Sequence, residues 1–123
     1  MSSFATKSFD APDDVRPFEG RGYAEIVEVA GRSVARATYE PGWKWSENVK
    51  PIVGTESCEI FHLGYVISGR IKVTMDGGAE AVAGPGDVVS IPAGHTGEVI
   101  GDEPCVWVDF GDVGNYATGN SRR

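Results

Sequence analysis

Apolar and polar residues alternate along much of the chain, in short runs that are separated by turn-forming residues. The segments 23–29 and 34–40 both alternate with a period of two, and the turn-like residues 30–33 lie between them. A period of two places successive side chains on opposite faces of a strand. The two segments and their turn therefore predict a β-hairpin.

Further strands follow, each bounded by glycine, proline or aspartate: residues 58–67, 70–75, 79–83, 87–91, 98–100 and 105–110. Residues 76–78 form a strong hairpin turn, because the glycines in it tolerate a positive φ. About eight strands at a spacing of roughly 8–12 residues, with no long helix between them, are typical of a jelly roll or barrel. The predicted fold class is all-β and antiparallel.

A chain of 123 residues fits one domain. Residues 1–20 are polar and interrupted by Pro12 and Pro17, which predicts an extended N-terminal arm. We expect the barrel to occupy residues 21–112 and a flexible C-terminal tail to occupy residues 113–123. The irregular segment 43–55 lies at the predicted rim of the barrel, since its proline excludes a regular central strand.

The net charge of −7 argues against nucleic acid or an anionic membrane as the main partner. No apolar run approaches the ~18 residues of a membrane span, and residues 1–7 lack the apolar run of a signal peptide. We therefore expect a cytoplasmic protein. Cys58 and Cys105 lie in apolar, strand-like surroundings, which favours reduced buried thiols, although a disulfide between neighbouring strands stays open.

Two segments, 62–69 and 86–95, resemble the two motifs of the cupin superfamily. In the second, Gly86, Pro92 and Gly94 match the family spacing of glycine, five residues, proline, one residue and glycine, and His95 follows directly. In the first, residues 65–69 resemble the closing strand. The resemblance covers residues 36–110 and implies a double-stranded β-helix with its site inside the barrel. It does not imply one activity, since cupins include isomerases, dioxygenases and lyases.

The resemblance also implies where metal ligands would lie. Metal-binding cupins typically use three histidines and one glutamate, and His62 stands at the position of the glutamate. Counted from Gly42, the first two histidine positions hold Asn48 and Lys50. Counted back from His62, they hold Thr55 and Ser57. The third position falls on Gly97, with His95 two residues earlier. The usual metal set is therefore incomplete.

The candidate metal ligands are His62 and His95, completed by Glu47 or Asn48, around one divalent ion such as Zn, Ni, Fe or Mn. Cys58 lies on the same strand face as His62. A regular strand would separate their Cα atoms by ~13 Å, too far for one small ion. The candidate ligand-binding residues are those near the predicted rim and motif strand, Trp45, Glu47, Lys50 and Tyr65.

Three functions follow as alternatives. The first is a single-domain cupin that binds a small molecule in its barrel, without assured catalysis because the metal set is incomplete. The second is a divalent-metal-dependent enzyme of isomerase, lyase or dioxygenase type, acting on a small polar or organic-acid substrate. The third is a non-catalytic homodimeric module, since exposed edge strands favour pairing. The sequence assigns no catalytic residue and does not decide whether the protein is an enzyme.

Overall fold

The computed structural model describes residues 4–118 and has two antiparallel sheets. The strands of the described residues are β1 (Asp14–Pro17), β2 (Gly22–Val29), β3 (Arg32–Tyr39), β4 (His62–Ser68), β5 (Arg70–Met75), β6 (Glu80–Ala83), β7 (Val88–Ile91), β8 (His95–Ile100) and β9 (Cys105–Asp109). Two helical turns, α1 (Trp45–Asn48) and α2 (Lys50–Val53), follow β3, and a 3₁₀ turn spans Val113–Asn115. The predicted all-β architecture is confirmed.

The larger sheet has six strands in the order β1-β2-β3-β9-β4-β7, and the smaller has three in the order β6-β5-β8. The inward faces of both sheets contribute to one hydrophobic core. The predicted hairpin is β2 and β3, which pair in register with Val27 opposite Val34. The two motif segments lie side by side over β4 and β7, which pair with His62 opposite Ile91. His95 follows at the start of β8, in the smaller sheet, so it approaches His62 across the core.

The segment predicted to be an N-terminal arm contains an edge strand. β1 pairs antiparallel with β2, with Val15 opposite Glu25. Pro17 ends β1, and an edge strand tolerates proline because one side of it needs no ladder hydrogen bonds. The arm is thus part of the sheet over residues 14–17.

Residues 113–118, at the start of the predicted flexible C-terminal tail, pack against the barrel, while residues 119–123 lie outside the described part of the chain. Val113 and Tyr116 are buried in the core. The Arg16 guanidinium donates to the backbone oxygens of Val113 at 2.8 Å and Tyr116 at 2.9 Å. This contact joins the segment to β1. The local sequence does not predict it, because the segment is glycine-rich and polar.

Between residues 43 and 55 the chain forms α1 and α2 instead of a strand. Pro51 is compatible with this, since proline is tolerated in the first turn of a helix, where it removes no intrahelical hydrogen bond. Within residues 4–118, no helix is both long and apolar enough to cross a membrane.

Candidate metal centre

A small cavity of about 20 Å³ lies inside the barrel. Its wall combines both histidines and a cysteine with aromatic and aliphatic side chains: Tyr39, Trp43, Trp45, Cys58, His62, Ile71, Val73, Ile91, His95, Gly97, Trp107 and Tyr116. A space of this size holds about one water molecule or ion.

The two imidazoles come together in this interior. His62 begins β4 and His95 begins β8, so each sheet delivers one histidine. Both side chains are buried, and their ring centroids lie 5.2 Å apart in an edge-to-face arrangement. The alternation of β4 turns His62, Gly64 and Val66 inward, as the sequence pattern predicts.

Cys58 joins the two histidines, which corrects the prediction that it lies too far away. Its Sγ is 3.6 Å from His62 Nε2. The ~13 Å separation assumes a regular strand over residues 58–62, but β4 begins only at His62. Cys58 instead forms an isolated bridge to His95, with its backbone N donating to His95 O at 2.7 Å. One potential ligand atom from each of these three residues lies within 4.8 Å of the others.

A sequence signal for Cys58 was present. It directly follows Ser57, one of the positions at which the resemblance expects a histidine. A thiol is a good ligand for transition metals, so a cysteine one residue from that position was a candidate replacement.

Asp109 orients His62, and the sequence reasoning missed it. The carboxylate Oδ2 of this residue lies 2.5 Å from His62 Nδ1, and its Oδ1 accepts from the backbone N–H groups of Leu63 and Gly111. A carboxylate accepts, so Nδ1 carries the proton and Nε2 faces Cys58. The inward parity of Asp109 with Cys105 and Trp107 in β9 was the available signal.

His95 is oriented in a similar way. Its Nδ1 donates to the carbonyl oxygen of Pro92 at 2.7 Å, which leaves Nε2 free for a ligand role. Asp109 and the Pro92 carbonyl, which accept from the two Nδ1 atoms, therefore favour the tautomer in which each Nε2 is unprotonated and can bind a metal. Such partners are typical of histidines that bind metals.

Cys58 and His62 each stabilise the charged form of the other. Burial by itself lowers the pKa of His62, but hydrogen bonds to Asp109 and Cys58 outweigh it and raise the pKa to about 9. Burial by itself raises the pKa of Cys58, but hydrogen bonds and charge from His62 and His95 outweigh it and lower the pKa to about 6. Both shifts favour a thiolate at Cys58 beside an imidazolium at His62 when no metal is bound.

Aromatic rings support the other side of His62. The Tyr116 ring meets the imidazole edge-to-face at 5.0 Å, and the Trp107 ring lies at 5.5 Å. Trp107 occupies the space left by Gly64, where an added Cβ would stand 2.1 Å from Trp107 Cε3. The absent side chain at Gly64 therefore makes room for the indole that packs on His62.

Glu47 and Asn48, the predicted further metal ligands, do not line the cavity. Asn48 Oδ1 accepts from the backbone N of Lys44 at 2.9 Å, and its Nδ2 donates to the backbone oxygen of Glu19 at 2.7 Å. Glu47 is exposed and pairs with the Lys44 ammonium at 3.9 Å. Backbone capping and surface pairing occupy these side chains, so the structure does not bring them to the imidazoles.

Of the four predicted ligand-binding residues, Trp45 alone lines the cavity. Glu47 is at the surface, and the Lys50 ammonium pairs with Glu56 at 3.2 Å. Tyr65 lies on the outward face of β4 and is 45% exposed. Its strand parity is opposite to that of His62, which directs it away from the interior.

Both cysteines are free thiols in the structure, in agreement with the favoured prediction. Cys105 lies in β9, and burial raises its pKa to about 12. Cys58 alone of the two lies beside the imidazoles. The two thiols thus have opposite electrostatic surroundings in one barrel.

Comparison with known proteins agrees with this architecture. The cupin domain model matches residues 55–111. A double-stranded β-helix protein from Klebsiella pneumoniae subsp. pneumoniae is 22% identical, with 97% of this chain and 94% of that chain covered and a TM-score of 0.58. A Cupin 2 conserved barrel domain protein from Salinispora arenicola is 18% identical, with 88% and 87% covered and a TM-score of 0.57.

An oxalate decarboxylase variant from Bacillus subtilis is 27% identical over 73% of this chain, with a TM-score of 0.51, and the match spans 25% of that protein. No curated protein matches the chain in sequence. Residues 55–111 match a cupin domain, and the two sheets together with the structural neighbours show a double-stranded β-helix fold.

Proposed function

We propose that the protein is a metal-binding cupin in which Cys58, His62 and His95 hold one divalent transition-metal ion. The observation that carries the proposal is the convergence of one sulfur and two imidazole nitrogens within 4.8 Å of one another. Thiolate and imidazole suit Zn, Ni or Fe, whereas Mn prefers oxygen ligands. Of the ions expected from the sequence, Mn therefore fits this donor set least.

The surroundings of the ligands support the same conclusion. Asp109 and the Pro92 carbonyl hold the two rings so that each Nε2 is available. Three protein ligands around such an ion leave one position for water or a small ligand. An ion held there supplies Lewis-acid chemistry at that position.

The size of the cavity limits the ligand. Pockets for drug-sized molecules have volumes of roughly 300–1,000 Å³, whereas this interior has about 20 Å³. We therefore propose that the small molecule expected from the sequence is very small, or enters with only its terminal group. This supports a small polar ligand rather than a large aromatic or sugar one.

A second candidate is a nucleophilic cysteine. Cys58, His62 and Asp109 lie in the order of a thiol, a base and an orienting carboxylate, and the pKa of Cys58 is lowered to about 6. Attack by the thiolate needs room for an electrophilic carbon and its leaving group. The cavity beside Cys58 does not offer this room, so we prefer the metal site.

Metal content tests the proposal. The protein is loaded with Zn²⁺, Ni²⁺ or Fe²⁺, desalted, and analysed for metal per chain by mass spectrometry. We expect one equivalent in the wild type and a strong loss in Cys58→Ala, His62→Ala and His95→Ala. Cys105→Ala is the matched control, because it removes the other buried thiol. A substoichiometric metal content that does not change in His62→Ala would contradict the proposal.

We further propose that the protein forms a homodimer through the outer face of the six-stranded sheet. Leu63, Tyr65 and Ile67 are partly exposed on β4, and Tyr65 stands opposite Val88 and Val108 on the neighbouring strands. An apolar strip of this kind is typical of an interaction surface. Light scattering after size exclusion should show a dimer that Tyr65→Glu dissociates, while Val82→Glu on the other sheet does not. A wild-type monomer at all concentrations would contradict it.

A cytoplasmic location remains part of the proposal. The free thiols of Cys58 and Cys105 support it, because reducing compartments keep cysteines unpaired. Fractionation of cells that produce the tagged protein would test the location directly.

A further inference from the structure

Two hydrogen-bond donors in the cavity wall have no acceptor. The indole Nε1 atoms of Trp43 and Trp45 are buried without a hydrogen-bond partner among the described residues. Both side chains line the cavity and are 3% and 2% exposed. An indole N–H can only donate, and buried donors in proteins are nearly always paired. Phenylalanine would fill similar space without this cost.

The backbone explains why both indoles belong to one wall. Lys44, which lies between them, has extended geometry with φ −136° and ψ 136°. Residues on either side of an extended residue point to the same face. Trp43 and Trp45 therefore both turn to the interior, while the Lys44 ammonium pairs with Glu47 at the surface.

One of the two tyrosine hydroxyls in the cavity wall carries a third unpaired donor proton. Trp107 Nε1 donates to the Tyr39 hydroxyl at 3.0 Å, and the hydroxyls of Tyr39 and Tyr116 are 3.1 Å apart. These three groups carry three protons but share two hydrogen bonds. Whichever hydroxyl donates to the other, one hydroxyl proton is left without an acceptor among the described residues. Both tyrosines line the cavity.

Apart from the proposed metal ligands, the acceptors of the described cavity wall that have printed contacts are already engaged by other donors. The oxygens of Asp109 already accept from His62 and from two backbone N–H groups. The Pro92 oxygen accepts from His95. The side chains of Ile71, Val73 and Ile91, which also line the cavity, are aliphatic and offer no acceptor. An occupant with acceptor atoms would therefore satisfy the unpaired indole donors, whereas an occupant that only donates would leave them unpaired.

We propose that the position beside Cys58, His62 and His95 is built for a small anion with acceptor atoms only, held by the indole N–H groups of Trp43 and Trp45. The inference rests on the proposed metal site and adds the class of its ligand. Small monoanions and the terminal carboxylate of a short organic acid belong to this class.

Azide is a suitable probe, since it is a small monoanion without a proton to donate. The Zn²⁺-loaded protein is labelled with ¹⁵N, and its three tryptophan indole signals are followed as azide is added. We expect the Trp43 and Trp45 signals to move together along one saturable curve. The Trp107 signal is the internal control, since its N–H is already bonded to Tyr39, and it should not follow that curve.

Azide affinity gives the second measurement. In the Co²⁺-substituted protein, the visible spectrum reports binding, and Trp43→Phe or Trp45→Phe should raise the Kd for azide by about 10-fold to 100-fold, as expected for loss of a hydrogen bond to a charged group. Tyr65→Phe, at the outer face, is the control and should leave the Kd unchanged.

The outcomes separate the two proposals. Protein that does not take up metal overturns the proposed metal site and this inference with it. If the protein binds one equivalent of metal but the Trp43 and Trp45 indole signals do not shift when azide is added, the anion site alone is overturned. The same holds if both phenylalanine variants bind azide as tightly as the wild type.

Discussion

His62 Nδ1 lies 2.5 Å from Asp109 Oδ2 in an interior where both side chains are almost completely buried. The two residues are 47 positions apart and belong to adjacent strands, β4 and β9, of the larger sheet. The contact fixes the tautomer of His62 and so presents Nε2 to Cys58. The properties of the proposed metal site follow from this pair.

Asp109→Asn should weaken metal binding by about 10-fold to 100-fold, as removal of an outer-shell partner typically does. The amide can keep the contacts of Oδ1, but its NH₂ group would face Nδ1. His62 would then favour the tautomer with the proton on Nε2, which opposes metal binding. Competition titration with a chromophoric Zn²⁺ chelator measures the change.

Asp112→Asn is the matched control, because this aspartate is exposed. Equal Zn²⁺ affinity in both variants would show that Asp109 does not orient a metal ligand.

The apparent Zn²⁺ affinity should rise with pH. The pKa of His62 is raised to about 9 and that of Cys58 is lowered to about 6. Between these values a proton competes with the ion for His62 but not for Cys58, so the His62 proton alone should make affinity rise about tenfold per pH unit up to about pH 9. Below about pH 6 the slope should steepen, because Cys58 also binds a proton. A flat profile from pH 6.5 to 8.5 would contradict the imidazolium state.

Gly64→Ala should destabilise the fold by about 1–3 kcal/mol, the usual cost of overpacking a core. The added Cβ would stand 2.1 Å from Trp107 Cε3, so the indole that packs on His62 must move. Urea unfolding of the metal-free protein measures the loss. Gly77→Ala is the control, since a Cβ there meets nothing within 4 Å. Equal stability of the two variants would argue against the Trp107 packing.

Arg16→Ala should release the C-terminal segment from β1. The Arg16 guanidinium donates to two backbone oxygens in this segment, and hydrogen bonds to charged groups contribute about 1.5–3 kcal/mol each. We expect faster amide hydrogen exchange at residues 113–118 and a lower free energy of unfolding. Arg32→Ala, an exposed arginine on β3, should change neither. Unchanged exchange in Arg16→Ala would mean that core burial of Tyr116 holds the segment alone.

Local patterns were sufficient for most of the β-structure. The alternation in β2 and β3 and the turn at residues 76–78 predicted strands close to those of the structure, because a period of two and a glycine turn are properties of neighbouring residues. His62 and His95 could be singled out because each lies in a motif segment. The edge strand β1 was missed, since its pairing with β2 is not visible in a short polar stretch.

The tertiary structure alone decided which groups meet. Cys58 reaches His62 because the chain leaves regular strand geometry before β4, and Asp109 reaches it because β9 lies next to β4 in the sheet. Asn48 and Glu47 belong to the segment predicted at the barrel rim, yet neither side chain reaches the cavity. Asn48 bonds to the backbone of Lys44, and Glu47 pairs with the Lys44 ammonium at the surface. Sequence periodicity determines which face of a strand a side chain takes. It does not determine which strands become neighbours or how irregular segments bend, and those long-range contacts place the sulfur, the carboxylate and the two imidazoles around one cavity.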